Sequence, residues 1–264
     1  ARKTVGGNRS TSDGYRKAIC GDDIHNGKIC NGCCRQRRKG GDTLKIACPY
    51  FNALIEIHEG VPFALIIENQ PLFRQFAEDI HSQLMGGEGD TVFSINNTPV
   101  AMSKYVDLLE SFAPFDINSK TMLSGISAAI EKVAVDEKHY IDTSRLIAET
   151  EKYISELGFS LPVTIECRKL NIGTIIKAAS VAVADDFENV IEKIISYMSL
   201  ILDLGGKKLF ITLNMRSYFS DNEIEWFIGE IKRKQLYVLM LENCARKKIT
   251  GSDQLIIDSD LCEF

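Results

Sequence analysis

Apolar residues along this chain fall into two patterns, short unbroken runs and stripes at helical spacing. The runs are Phe63 to Ile67, Leu209 to Leu213, Tyr237 to Leu241 and Leu255 to Ile257. Each has strand length and is apolar at nearly every position, the pattern of strands buried on both faces of a parallel sheet. Between the second and third runs, Ser220 and Asp221 open a stretch whose Ile224, Phe227, Ile228 and Ile231 share one helix face. That helix is long enough for the crossover that parallel neighbours need. After the first run come Gln70 and Pro71, a residue suited to the first turn of a helix. Leu72, Phe73, Phe76, Ile80 and Leu84 then keep helical spacing. Both ends of the chain therefore contribute to one α/β core.

The connecting stretches are read the same way. Leu44 to Ile46 and Leu54 to Ile57, around a turn at Cys48-Pro49-Tyr50, predict an edge hairpin. Thr91 to Ile95 and Lys104 to Leu109 predict further strands. Gly86-Gly87-Glu88-Gly89-Asp90 predicts a hairpin turn or the C-cap turn of the preceding helix. Asp116-Ile117-Asn118-Ser119 reads as a helix start. Beyond it Met122, Leu123, Ile126, Ala129, Ile130 and Val133 form one stripe, and Leu146, Ile147, Thr150, Tyr153, Ile154 and Leu157 another. A last stripe, Val190, Ile194, Ile195, Met198, Ile201 and Leu202, ends at Gly205-Gly206. The predicted fold class is α/β: a head of mostly parallel sheet with helices, built from residues 44–118 and 204–264, and an inserted α-helical leg over 119–203. Each part is of ordinary domain size.

Residues 1–43 do not fit this scheme. They have almost no apolar periodicity and hold ten Lys or Arg against four Asp, which leaves 21 basic and 32 acidic residues in the acidic body. The segment reads as loop or disorder. Cys20, His25, Cys30, Cys33 and Cys34 could ligate one zinc ion, on the strength of a single C-x-x-C pair. A competing expectation is that the segment is a non-native leader. Lys39-Gly40-Gly41-Asp42 can be encoded by a ribosome-binding sequence, and Leu44 by an alternative start codon. No apolar run approaches bilayer length and no signal-peptide pattern is present, so a cytoplasmic location is expected.

Strand, turn and helix at residues 63–84 occupy the place of a phosphate-binding loop, but the residues for it are missing. G-x-x-x-x-G-K-[ST] lines the phosphates with backbone N–H groups and a Lys. Here the turn is Glu68-Asn69-Gln70-Pro71, with no glycine and one donor removed by proline. Asn214, not an acid, ends the run Leu209 to Leu213. No HExxH or GxSxG motif occurs, and no catalytic residue is assigned. A degenerate P-loop kinase-like or ATPase-like enzyme remains the alternative reading.

Basic residues are the other candidate chemistry. On the leg they include Lys120, Lys132, Lys138, Arg145, Lys152, Arg168, Lys169 and Lys177. On the head they include Lys207, Lys208, Arg216, Lys232, Arg233, Lys234, Arg246, Lys247 and Lys248. Aromatic residues are sparsely interleaved, which disfavours stacking on single strands. Contact with a duplex backbone needs only Lys and Arg.

KKLFITLNMRSYFSDNEIEWF, YVLMLEN and the acidic end IIDSDLCEF, in this order, resemble the Csn-two family, accessory spacer-acquisition proteins of type II-A CRISPR loci. LKIACPYFNALIEI, FALIIENQPLFRQFAEDIHSQL and FDINSKTMLSGISAAIEKV fit as well, so the resemblance covers about residues 44–264. It implies a P-loop-NTPase-like head without a working nucleotide site, a helical leg and a ring-shaped homotetramer. The ring would bind double-stranded DNA through its centre, mainly at free ends and without sequence preference, as a non-catalytic protein. The implied partners are the CRISPR integrase complex and the type II effector nuclease. DNA contacts are then expected from Lys120, Lys132, Lys138, Arg145, Arg168, Lys169 and Lys177. The resemblance also implies a structural calcium ion. In Leu161 to Lys169, where the family carries an acidic run, only Glu166 supplies a carboxylate, and Arg168 and Lys169 oppose a cation beside it. Calcium takes six or more oxygens, so other ligands would have to come from elsewhere, such as another subunit.

Overall fold

The computed structural model describes residues 41–163, 165–167 and 169–264. In chain order the strands are β1 (Leu44–Ala47), β2 (Ile55–Ile57), β3 (Phe63–Ile67), β4 (Val92–Ile95), β5 (Thr98–Pro99), β6 (Val106–Leu109), β7 (Leu209–Leu213), β8 (Tyr237–Glu242) and β9 (Asp253–Ile257). The helices are α1 (Gln70–Leu84), α2 (Lys120–Ala134), α3 (Tyr140–Gly158), α4 (Ile172–Ala178), α5 (Val190–Asp203) and α6 (Asp221–Lys234), with single helical turns at Met102–Tyr105 and Met215–Ser217.

Five strands form a parallel sheet in the order β6-β7-β8-β3-β9. The first of them along the chain, β3, lies between the last two. All six residues of β8 are buried, as are four of five in β3 and β7, which explains their unbroken apolar runs. One face of the sheet packs on α5 and α6 through Phe210, Val238, Met240, Ile194, Met198, Ile224 and Phe227. The other face packs on α1 and on a second, antiparallel sheet through Leu65, Ile67, Phe76, Ile80, Leu44, Ile57 and Phe93. That second sheet has the order β2-β1-β4-β5, so the expected hairpin of β1 and β2 is present with β1 inside it and β2 at its edge. β4 joins it and not the parallel sheet.

Local signals place the helices. Asn69 caps α1 by accepting from the Leu72 N–H at 3.0 Å. Ser119 caps α2 and Asn189 caps α5. Ser220 and Glu223 form a reciprocal capping box on α6, whose last turn carries Lys232, Arg233 and Lys234 at the negative end of the helix dipole. The C-terminal tail folds back on β9: Ile256 and Phe264 exchange backbone hydrogen bonds of 3.1 and 2.9 Å. The Glu263 carboxylate accepts from the Asn52 N–H at 2.6 Å. This tail closes an edge that would otherwise offer free backbone groups.

Two boundaries differ from the sequence reading. Val190–Asp203, counted with the leg, belongs to the head, because Ile191, Ile194, Ile195, Tyr197, Met198 and Ile201 are buried against the sheet. The helices that leave the sheet are α2, α3 and α4. Asp42 and Thr43, grouped with the leader by composition, are hydrogen-bonded to the body. Asp42 accepts from Lys208, from Asn96 at 2.8 Å and, through its carbonyl, from the Tyr237 hydroxyl at 2.8 Å; the Thr43 N–H donates to Asn96. The zinc candidates Cys20, His25, Cys30, Cys33 and Cys34 lie outside the described residues.

α3 shows what the second stripe packs against. Of its residues only Gly158 is buried, while Tyr140, Ile141, Leu146, Tyr153, Ile154 and Leu157 are exposed. In α2 only Met122, next to the sheet, is fully buried. An exposed apolar face of this extent is unusual on a chain that works alone.

Candidate nucleic-acid interface

Parallel α/β sheets build ligand sites at the carboxyl ends of their strands. Here those ends carry Glu68 and Asn69 after β3, Asn214 after β7, Glu242 closing β8 and Asp258 after β9. Each is already engaged by the protein. Asn69 uses its carbonyl oxygen on the helix cap and donates its amide to the Ser259 carbonyl at 2.9 Å. Glu68 accepts from the Ala245 N–H at 3.1 Å. Asn214, in the left-handed region at φ 51°, accepts from the Asn243 N–H at 2.9 Å. Groups that would hold phosphate or magnesium in a nucleotide enzyme instead tie strand ends to neighbouring loops.

Glu242 and Arg216 form the polar centre of this edge. Glu242 is 2% exposed, flanked on β3 by Ile66. Its carboxylate accepts from the Arg216 N–H at 3.1 Å and from the Met215 backbone, so it caps the turn Met215–Ser217. Burial pushes its pKa up to about 7, against the opposing pull of those backbone bonds and of the Arg216 and Arg246 charges. Arg216, 7% exposed, donates through Nη2 to Asp221 at 3.1 Å and to the Lys247 carbonyl at 2.9 Å, while its buried Nε has no partner. Arg216 thus joins the end of β7, the start of α6 and the loop after β8. From sequence it read as one more basic residue. Its position just past a buried strand, with an acid ending the next strand, was the available signal.

A second, partly buried pair joins α5 to β6. The Tyr197 hydroxyl donates to Asp107 at 2.8 Å, and burial raises the pKa of both groups. Among the described residues no three His, Cys, Asp or Glu side chains come together as a metal site. Glu166, the carboxylate expected to serve calcium, is exposed. An open groove lined by Tyr50, Gln75, Asp79, Ser82, Glu88 and Asp90 is acidic and unsuited to phosphate. Asp79 in it is taken up by the Asp90 and Thr91 N–H groups at 3.0 and 2.8 Å.

The expected DNA contacts are distributed over the leg. Lys120 opens α2 beside the sheet, and Lys132 lies in its last turn, about 18 Å further along the helix axis. Lys138 sits in the turn before α3, and Arg145 in the second turn of α3, so Lys132, Lys138 and Arg145 share the far end of the helix hairpin. Lys177 ends α4, which packs on α2. Lys169 is exposed, and Arg168 lies outside the described residues. The hairpin of residues 120–158 holds five Lys or Arg among seven Asp or Glu. Arg145 is paired with Asp142 at 3.3 Å and Lys152 with Glu156 at 3.8 Å. Its positive charge is thus interleaved with negative charge.

The fold is a parallel α/β sheet whose carboxyl edge is closed by the protein's own hydrogen bonds. The family model for CRISPR-associated protein (Cas_Csn2) matches residues 83–261, and the chain belongs to that family. Among solved structures it is similar to Stu0660 of Streptococcus thermophilus, with 12% identity, a TM-score of 0.49, and coverage of 75% of this chain and 68% of that one. It is also similar to a nucleotide-free ATP-binding cassette from an ABC transporter, with 11% identity, a TM-score of 0.42, and coverage of 84% and 91%. No helix among the described residues is long and apolar enough to cross a membrane.

Proposed function

We propose that this protein is a non-catalytic, cytoplasmic homotetrameric ring that binds double-stranded DNA, mainly at free ends and without sequence preference, during CRISPR spacer acquisition. It would act beside the CRISPR integrase complex and the type II effector nuclease. Membership of the CRISPR-associated family, over residues 83–261, carries this reading. Two features support it. The carboxyl edge of the sheet is closed by Glu68, Asn69, Asn214 and Glu242, which argues against a nucleotide as ligand. The exposed apolar side of α3 needs a partner surface, which a second copy of the chain supplies in a ring. The exposed cations Lys120, Lys132, Lys138, Arg145, Lys169 and Lys177 are the leg's candidates for the DNA backbone.

A band-shift with one duplex in linear and closed-circular form tests this reading. Linear duplex is expected to bind more tightly, with affinity falling steeply as salt rises, because released counterions drive phosphate contact. Equal affinity for both forms contradicts threading over ends. Affinity that barely changes between 50 and 200 mM salt, where several phosphate contacts should cost orders of magnitude, contradicts backbone contact.

A further inference from the structure

We infer that the loop between β8 and β9, residues 243–252, is a preformed phosphate-binding edge of the head that grips the DNA backbone through Arg246, Lys247 and Lys248. The inference rests on the duplex-binding reading above and adds a contact surface on the head to the leg residues.

The loop contains three cations and no acid, and every residue from 243 to 248 is exposed. Its backbone is nevertheless held at successive points. The Asn243 N–H donates to Asn214 at 2.9 Å and the Ala245 N–H to Glu68 at 3.1 Å. The Lys247 carbonyl accepts from Arg216 at 2.9 Å, and Ile249 is buried in the core between sheet and helices. A loop fixed this way presents its side chains without a large ordering cost on binding.

The acids near this loop mainly anchor its backbone; of its cations only Arg246 acts on one of them, the buried Glu242, and it makes no ion pair with it. Glu68 and Glu242 accept backbone N–H groups, and Asp221 takes the guanidinium of Arg216. In the acidic C-terminal stretch, Asp258 accepts from the Asp260 and Cys262 N–H groups, both at 2.9 Å, and Glu263 from the Asn52 N–H. Among the described residues Arg246, Lys247 and Lys248 make no ion pair, in contrast to Arg145, Lys152, Lys193, Lys208 and Arg233. Three unpaired cations on a rigid, acid-free loop suit a row of phosphates. The leg hairpin also holds exposed cations without an ion pair, Lys120, Lys132 and Lys138, but they are set among an excess of acids.

The test compares wild type with Arg246→Ala/Lys247→Ala/Lys248→Ala and with Lys132→Ala/Lys138→Ala/Arg145→Ala. Each is titrated with a linear duplex at several salt concentrations, and equal melting temperatures confirm equal folding. Each lost phosphate contact lowers the slope of log K against log salt by about 0.9. The loop variant is expected to lose about 2 to 3 from that slope and to bind about a hundredfold more weakly at 0.1 M salt. An unchanged slope and affinity in the loop variant, with a loss in the hairpin variant, overturns this inference and leaves duplex binding standing. A wild type that binds no duplex overturns both. A loop variant that keeps its duplex affinity but loses capture of the integrase would assign the loop to a protein partner, and would also overturn it.

Discussion

Phe210→Ala is expected to destabilise the protein by about 3–5 kcal/mol, the range for removing a fully buried aromatic side chain. Phe210 is 0% exposed on the interior strand β7, between β6 and β8, and faces the core shared with α5 and α6. Nothing near it can collapse into the space without moving both a strand and a helix. The melting temperature should fall by on the order of 10 °C, given a few degrees per kcal/mol for a chain of this size. Leu157→Ala is the informative comparison. Leu157 belongs to an equally apolar stripe but is 57% exposed on α3. Its removal should change folding stability by no more than about 0.5 kcal/mol and act instead on assembly, read as a smaller mass in sedimentation. Similar destabilisation by both variants would place α3 in the core and contradict the described packing.

Glu242 should make stability fall as pH rises. Burial holds its carboxyl well above the ordinary 4.5, at about 7. Between those values the folded state keeps a proton that the unfolded state has lost. The stabilisation from that proton is complete below about pH 4.5 and gone above about pH 7. The gap corresponds to about 3 kcal/mol. Glu242→Gln keeps an oxygen to accept the Arg216 N–H but cannot ionise. Relative to wild type, the variant should therefore gain about 3 kcal/mol between pH 4.5 and 8 in urea unfolding. A difference that stays flat across this window would mean that Glu242 is ionised at no cost in the folded protein, against its position inside β8.

Much of this architecture is legible in the chain. Strands buried on both faces have no polar face to break their runs, so β3, β7 and β8 stand out, and Ser220 with Glu223 marks the start of α6. The turn Glu68 to Pro71 already shows that no phosphate loop can form there. What periodicity cannot show is the surface that a stripe meets. α5 and α3 carry similar stripes, yet one packs on the sheet and the other is exposed. Pairing between distant strands is equally hidden, which is why β4 was not separable from the parallel sheet. Arg216 and Glu242 are 26 residues apart, and their meeting depends on β7 and β8 being neighbours. The cations were all visible as letters. Their ion pairs with Asp142, Glu156 and Glu230, and the lack of any for Arg246 to Lys248, emerge only in three dimensions.

The proposed function sets duplex DNA, and not a nucleotide, as the ligand of this parallel α/β protein. Thermal unfolding of one sample, alone, with Mg-ATP and with a linear duplex, tests it most directly, because a ligand that prefers the folded state raises the melting temperature as its concentration rises. The account predicts a concentration-dependent rise with the duplex, weakened by salt, and no change with Mg-ATP. A rise with Mg-ATP and none with the duplex would contradict it.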